Sequence, residues 1–576
     1  MKEKKTGGGF VNLNISIGNQ DFESIRTQQC FYIDKTAFIK EWWENRDSVT
    51  LITRPRRFGK TLNMSMMNCF FSNTYRDRGD LFEGLSVWDE ERYRNMQGTY
   101  PVIFLSFAAV KGSTYQSSRE SILLLLENVY QQFRFLLQDD ILTENERKYF
   151  ASVGTSMTDA SAAMAIYNLS DYLSRYYNKK VLLLLDEYDT PMQEAYVHGF
   201  WDEMAGFMRS IFNASFKTNP YVERAIMTGI TRVSKESIFS DLNNLTVVTT
   251  TSKKYGDCFG FTEEEVFRAL DAAGLGDQKQ KVKEWYDGFT FGKHRDIYNP
   301  WSITNFLEEK KIRLYWANSS SNSLVSKLIQ EAGPDIKISM EHLLAGEHLQ
   351  KEIDEQTVFQ ALDDNEEAIW SLLLASGYLK VERSPEDALD ENQNYELSLT
   401  NLEVEKMFRK MIQNWFRNPS ARYNDFIKAM FMGDVDYMNE FMNQMTQVMF
   451  SSFDTGRHPS GKAEPERFYH GFVLGLIVDL ADRYHITSNR ESGFGRYDVM
   501  LEPKKKSDPA FIFEFKVYNP FRESSLEAAA DNALKQINTR QYDAALRAKG
   551  IGAERIRHLG FAFEGKKVLI KERGIL

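Results

Sequence analysis

In the stretch LITRPRRFGKTLNMSMMNCFF, residues 51–71, a glycine, a lysine and a threonine follow one another as Gly59, Lys60 and Thr61. In a phosphate-binding loop that succession has a mechanical reason. Backbone N–H groups wrap a β-phosphate, the lysine reaches the β and γ oxygens, and the hydroxyl meets Mg²⁺. The usual loop opens with glycine, and here Arg54 stands in its place. The competing reading is a plain strand-turn-helix junction in which Gly59 closes a turn and Lys60 is solvated.

A second element bears on that choice. In VLLLLDEYD, Asp186 and Glu187 end an apolar run. A carboxylate emerging there beside the loop would hold Mg²⁺, and its neighbour would polarise an attacking water. The run AIMTGITR ends in Thr228, Thr231 and Arg232. Its polar end would sense a γ-phosphate, and Arg232 would stabilise transition-state charge in cis or across a subunit contact of a homo-oligomer. An ordinary surface arginine is the alternative. Arg56 and Arg57 stand under a similar pair of readings: they clamp phosphate, or they pair with acidic side chains.

Near the C-terminus, GRYDVMLEPKKKSDPAFIFEFKVYNP sets Asp498 on one strand and Glu514 with Lys516 on the next. Side chains alternate along a strand, so 514 and 516 share a face while Phe513, Phe515 and Val517 take the other. A glutamate and a lysine on an otherwise buried strand, opposite an aspartate, are costly to desolvate unless a metal or a phosphate joins them. The chemistry that suits them is metal-dependent phosphodiester cleavage. Asp498 and Glu514 would ligate Mg²⁺ or Mn²⁺, and Lys516 would position the nucleophile or neutralise charge. Glu-x-Lys alone also occurs in many half-exposed strands with no chemistry.

These residues need particular elements to hold them. SVTLIT, YPVIFLSF, KKVLLLLDEYD and ERAIMTGITR read as buried parallel strands alternating with helices, an α/β sandwich. After Thr61, Leu62, Met66 and Phe70 recur at helical spacing and aim a helix N-terminus at the loop. In YNPWSITNFLEEKK, Asn299 is the expected N-cap and Pro300 the first helical residue, opening a mostly helical middle region. Within it, AIWSLLLASGYLKVE and YELSLTNLEVEKMF read as helix, strand, strand, helix. SSFDTGRHPSGKAEP, residues 451–465, reads as a linker. A helix from Glu466, further strands and an alanine-rich helix then form a compact C-terminal α/β unit.

With 576 residues the chain exceeds one core, at roughly 150 residues per domain. Hydrophobic residues make up 42% and charged residues 26%, and no run approaches the ~20 apolar residues of a membrane span. The lysine- and glycine-containing N-terminus has no export signal, and Cys30, Cys69 and Cys258 are too scattered for a disulfide framework. A cytoplasmic location is expected. The net charge of -10 excludes a wholly basic nucleic-acid coat, yet from Arg540 onward nine Lys or Arg face four Asp or Glu, a local balance of +5 that would serve a phosphate-binding face.

YIDKT (32–36), RPRRFGKT, YPVIFLSF, DEYDTP, WYDGFTFG and YNPWSI together resemble the bacterial predicted AAA-ATPase-like family, over roughly residues 10–310. The resemblance makes Arg54 that family's variant of the loop. It implies ATP binding by Arg54, Pro55, Arg56, Arg57, Phe58, Gly59, Lys60 and Thr61, with Asp34 and Lys35 near the nucleotide. The C-terminal residues resemble the PD-(D/E)XK nuclease fold, with Asp498, Glu514 and Lys516 as its core and Glu466 and Gln536 as auxiliary positions. The combined expectation is an α/β multidomain chain: an AAA-like P-loop ATPase over 1–295, a mostly helical middle over 296–450, the linker, and a nuclease-like domain over 466–576. ATP and Mg²⁺ or Mn²⁺ are the implied cofactors, DNA or RNA the implied partner, and bacterial anti-phage defence or nucleic-acid processing the implied setting. The alternative is an ATP-dependent switch whose nuclease-like domain binds nucleic acid without cleaving it.

Overall fold

The computed structural model describes residues 13–231, 238–239, 242–317, 319, 325–326, 328–329, 334–344, 346–355, 365, 367–385, 394–415, 423–453, 473, 477, 480, 483–488, 491–492, 495–496, 498–505, 507–564 and 567–573. Arg232, Glu466 and residues 454–465 of the expected linker lie outside them. The chain divides into two compact units, one of residues 1–324 and 348–405, the other of 325–347 and 406–576.

In the first unit the four apolar runs form β1 (Val49–Thr53), β2 (Val102–Ser106), β3 (Val181–Asp186) and β4 (Val222–Gly229), joined by β5 (Leu245–Val248). All pair in parallel in the order β2-β3-β4-β1-β5. The reason for continuous apolar runs is visible in β3. Leu183 and Leu185 enter one core cluster while Leu182 and Leu184 enter another, so helices must cover both faces. Because β4 lies between β1 and β3, the loop after β1, Thr228 near the end of β4 and Asp186 at the end of β3 converge on one edge. Register confirms this: Thr53 pairs with Gly229, and Ser106 with Asp186.

The rest of this unit carries two small antiparallel sheets and several helices. Phe261–Thr262, His294–Tyr298 and Phe289–Phe291 form one sheet. Asn299 caps the helix Pro300–Glu309 by accepting from the backbone N–H of Trp301 and Ser302, as expected from its sequence. Helix Ala368–Ala375 and strands Leu379–Arg383 and Tyr395–Leu399 follow in the expected order, and then helix Leu402–Trp415, of which residues 402–405 belong to this unit and 406–415 to the second. A third strand, Leu349–Lys351, was not foreseen.

The second unit holds a five-stranded mixed sheet in the order Tyr484–Ser488, Val499–Pro503, Ala510–Val517, Ile556–Glu564, Lys567–Arg573. Ala510–Val517 and Ile556–Glu564 are parallel, so the chain between them must cross over, and helix Leu526–Arg540 makes the crossing. Its alanines Ala529, Ala530 and Ala533 let it lie so close that a Cβ at Gly560 would stand 2.7 Å from the Ala530 carbonyl. Helix Val435–Phe453 runs into the first three residues read as linker and covers the last strand. There Asn439 and Asn443, one helical turn apart, each engage both backbone groups of a strand residue. Asn439 accepts from Ile570 N–H at 2.6 Å and donates to its carbonyl at 2.9 Å, and Asn443 treats Val568 likewise at 2.9 and 2.7 Å. Among the described residues, no helix is long and apolar enough to cross a membrane.

Candidate functional site

The loop after β1 is short because helix Lys60–Phe71 begins at once, with Gly59 at φ +80° as its N-cap. Arg57, at φ +66°, is also left-handed, and alternating backbone of this kind builds anion nests. Lys60 is buried, and its ammonium donates to the carbonyls of Arg54 and Pro55, each at 3.1 Å. Burial pulls its pKa below the ordinary lysine range, opposed by Glu187, Asp189 and Asp186.

Asp186 has no exposed surface. Its two oxygens accept from three hydroxyls: Thr61 at 2.8 Å, Ser106 at 3.3 Å and Thr228 at 2.6 Å. Burial raises its pKa in spite of those bonds. Hydroxyl and carboxylate oxygens so placed are the donor set that suits Mg²⁺. Glu187 follows in left-handed backbone, partly exposed, its carboxylate accepting from Thr190 at 3.3 Å. Asp189, which the sequence reading did not single out, is buried and binds the end of β4, accepting from Ile230 N–H at 2.9 Å and Thr231 N–H at 3.0 Å.

The loop's arginines correct one expectation. Arg54 does not present its side chain as a phosphate ligand. Fully buried, its guanidinium donates to the carbonyls of Thr53 (2.9 Å), Thr249 (2.8 Å), Tyr255 (3.3 Å) and Lys254 (3.4 Å) and lies 4.6 Å from the Phe291 ring. A planar fork with five donors can serve several carbonyls at once, which explains arginine rather than lysine here. Arg57 stacks on Trp301, its guanidinium carbon 4.2 Å from the ring centre. Phe58 packs edge-on against Phe289 and Phe291, and Pro55 lies against Gly377. Exposed Arg56 donates to Gln193 at 3.1 Å, and its carbonyl accepts from Asn299 at 3.3 Å and the Trp316 indole at 3.0 Å. The Trp316 backbone N–H donates at 2.8 Å to Glu403, a buried acid pushed up to about 7 by that burial, which also accepts from Ser302 at 2.8 Å. WYDGFTFG and YNPWSI therefore furnish the surface that fastens the loop.

Asp34 and Lys35, which resemblance set near the nucleotide, both have partners within the protein. Asp34 accepts from Thr36 and from Ser86 N–H at 2.7 Å; burial alone would raise its pKa, but these bonds hold it below the ordinary range. Lys35 is buried in an ion pair with Glu265 at 2.8 Å.

In the second unit, Val499 pairs with Phe513, and Asp498, one residue before that strand, accepts from Phe515 N–H at 2.7 Å. Glu514 is 1% exposed, with Lys516 at 3.4 Å and the amide of Gln536, from the crossover helix, on the same carboxylate oxygen. Gln536 also meets the Tyr542 hydroxyl at 3.1 Å. The structure thus brings Glu514, Lys516 and Gln536 together, and ties Asp498 to the backbone between the first two. Two carboxylates supply the oxygen donors that Mg²⁺ or Mn²⁺ takes. The basic tail is less basic than its count, because Arg547, Lys549, Arg557 and Lys571 pair with Asp543, Glu502, Glu572 and Asp531.

Among the described residues, clusters of three possible metal ligands occur elsewhere, at Glu41, Asp257, Cys258 and at Glu263, Asp287, Asp296. In the latter, the Lys283 ammonium already sits against all three acids, 3.5 Å from Asp287 and 3.6 Å from Asp296.

Residues 16–239 match the predicted AAA-ATPase family and residues 464–573 the PD-(D/E)XK nuclease superfamily. The chain is 24% identical over 566 residues to a protein of Azotobacter chroococcum mcd 1 described as an uncharacterized protein in the vnfD 5′ region, covering 95% of this chain and 96% of that one. A chain in the structure of Drosophila ORC bound to AT-rich DNA and Cdc6 matches 68% of this chain and 93% of its own length at 10% identity; its TM-score of 0.17 carries no argument. An AAA-ATPase-like region and a nuclease-like fold thus stand in one chain, in the expected order.

Proposed function

We propose that the first unit binds and hydrolyses ATP and that the second is a metal-dependent nuclease, cleaving phosphodiester bonds in DNA or RNA in the bacterial cytoplasm. The observation that carries the proposal is the meeting of Thr61, Thr228 and buried Asp186 beside the Lys60 loop. A carboxylate held only by neutral hydroxyls keeps its charge uncompensated by a direct cation, and a divalent ion is what such a site accepts. Lys60 would leave the carbonyls of residues 54 and 55 for the β and γ oxygens, and Glu187 would orient the attacking water.

In the second unit, Glu514 and Asp498 would hold the ion, and Gln536 would fix the Glu514 rotamer. Lys516 would set a positive charge at the scissile phosphate. A bound divalent ion supplies Lewis acidity and lowers the pKa of its water. Anti-phage defence is the setting we propose for this pairing.

A second reading, an ATP-dependent switch without cleavage, has its own support. The loop's backbone is wired through Trp316 to Glu403, so a ligand at the loop has a route into the rest of the unit. One experiment separates the two. The purified chain is incubated with plasmid, single-stranded DNA and RNA, with and without Mg²⁺, Mn²⁺ and ATP, beside Lys60→Ala and Asp498→Ala. Cleavage abolished by Asp498→Ala is the expected result, and loss in Lys60→Ala as well shows that ATP licenses cutting. Absence of cleavage with ATP turnover retained supports the switch.

A further inference from the structure

Segment 249–255 has two sides. On one, the carbonyls of Thr249, Lys254 and Tyr255 receive the Arg54 guanidinium from the phosphate loop. On the other, Thr251 and Lys253 line a cleft of about 530 Å³. Lys293 and Arg295, at the hairpin formed by Phe289–Phe291 and His294–Tyr298, line it too, as do Val381 and Tyr395 from the neighbouring small sheet. Among the described residues, three cations thus meet one lining carboxylate, Glu352.

The walls are built rather than accidental. The Gly292 N–H donates to Thr250 O at 2.9 Å, and at φ +57° this glycine comes so close to segment 249–255 that a Cβ would strike the Ser252 carbonyl. Among the described residues, Arg295 is held by one bond, to Glu382 O at 2.8 Å, which uses one of its five donors. Lys293 is exposed and has no partner among the described residues. Beneath the cleft, Glu355 ties the hydroxyls of Thr249 and Thr251 at 2.5 and 2.6 Å, joining the segment's two sides.

We propose that this cleft is a second anion site, for a small phosphorylated ligand of the nucleotide class, and that it acts on the phosphate loop through segment 249–255 and Arg54. Its volume falls within the roughly 300–1,000 Å³ of small-molecule sites, which favours a mononucleotide over a polymer. The cations recognise phosphate, and Tyr395 with Val381 gives a base an aromatic and apolar surface. Only the coupling clause rests on the loop being a nucleotide site; binding in the cleft does not.

The test is equilibrium dialysis of radiolabelled ATP, and of inorganic tripolyphosphate, against the full chain, Lys60→Ala, and the double variant Lys293→Glu with Arg295→Glu. Both reversed residues are exposed, so an unchanged melting temperature is expected. The intact chain should bind two equivalents of ATP and each variant one, with cleft affinity at least tenfold weaker after charge reversal. Binding unaltered by the double variant overturns the proposal, as does a cleft that takes an oligonucleotide but neither ATP nor tripolyphosphate. Two equivalents retained in Lys60→Ala, with one lost on charge reversal, keeps the cleft and sinks the loop reading instead. Loop-site affinity that stays the same in the double variant overturns the coupling.

Discussion

Asp186 and Glu514 are both carboxylates withdrawn from water, but they have neighbours of different kinds. Asp186 is held by three hydroxyls, while Glu514 has a lysine and an amide in direct contact. Hydroxyls satisfy hydrogen-bonding capacity without supplying charge, so Asp186 remains electrostatically hungry, as its raised pKa records. Glu514 has a counter-charge built in. If the proposed function holds, the first site would respond to a cation that arrives with nucleotide, whereas the second already holds its groups in place. The scaffolds differ in the same sense: strand alternation and one helix make the second site, whereas the first depends on a loop fastened from distant parts of the sequence.

The largest expected effect tests that fastening. Arg54→Met strands several carbonyls and should lower the stability of the first unit by about 3–5 kcal/mol, read as an earlier urea transition of tryptophan fluorescence. A loss below about 1 kcal/mol would mean that the loop stands without its anchor and the contrast between scaffolds is false. Next, Lys60→Ala should slow ATP turnover by roughly 10²–10³-fold at saturating ATP while leaving the melting of the second unit unmoved. A smaller effect comes from pH. Glu403 titrates near 4.5 when unfolded and at about 7 when folded, because burial disfavours its charge. Its contribution is fully present below 4.5 and is lost as pH rises through about 7, up to about 3 kcal/mol. Asp287, also pushed up to about 7 by burial and by Asp296 beside it, acts in the same direction. Glu403→Gln should therefore flatten the pH dependence of the first unit's melting between pH 5 and 8; an unchanged slope would remove Glu403 from the account. Smallest, Gln536→Met should cost the second unit about 1–3 kcal/mol through the partner it takes from Glu514, measured by thermal melting. Were this loss to equal that of Arg54→Met, the two scaffolds would be alike.

What the sequence disclosed follows the range of the interactions. Strands β1 to β4, the Asn299 cap, the glycine-lysine-threonine succession and the alternation of Glu514 and Lys516 are local patterns, and each stands where its pattern placed it. LTVV at 245–248 is only four residues among polar neighbours, so β5 gave little apolar signal. Arg54 was misjudged because a sequence shows a charge but not its direction; the carbonyls that receive it lie some 195 residues or more further on, except that of Thr53. Glu355 and Glu403 were missed for the same reason, being buried acids whose partners come from other segments. Asp189 lay within DEYD in plain view, but nothing in the string says that it grips the end of β4.

The asparagine pair on helix Val435–Phe453 has a consequence for assembly. By answering both backbone groups of Ile570 and of Val568, the two amides act as a counterfeit neighbouring strand, and they close the margin of the sheet to any incoming polypeptide. A second molecule cannot extend the sheet along Lys567–Arg573 unless that helix first peels away, so self-association by this route is barred by two side chains of a kind usually found in turns.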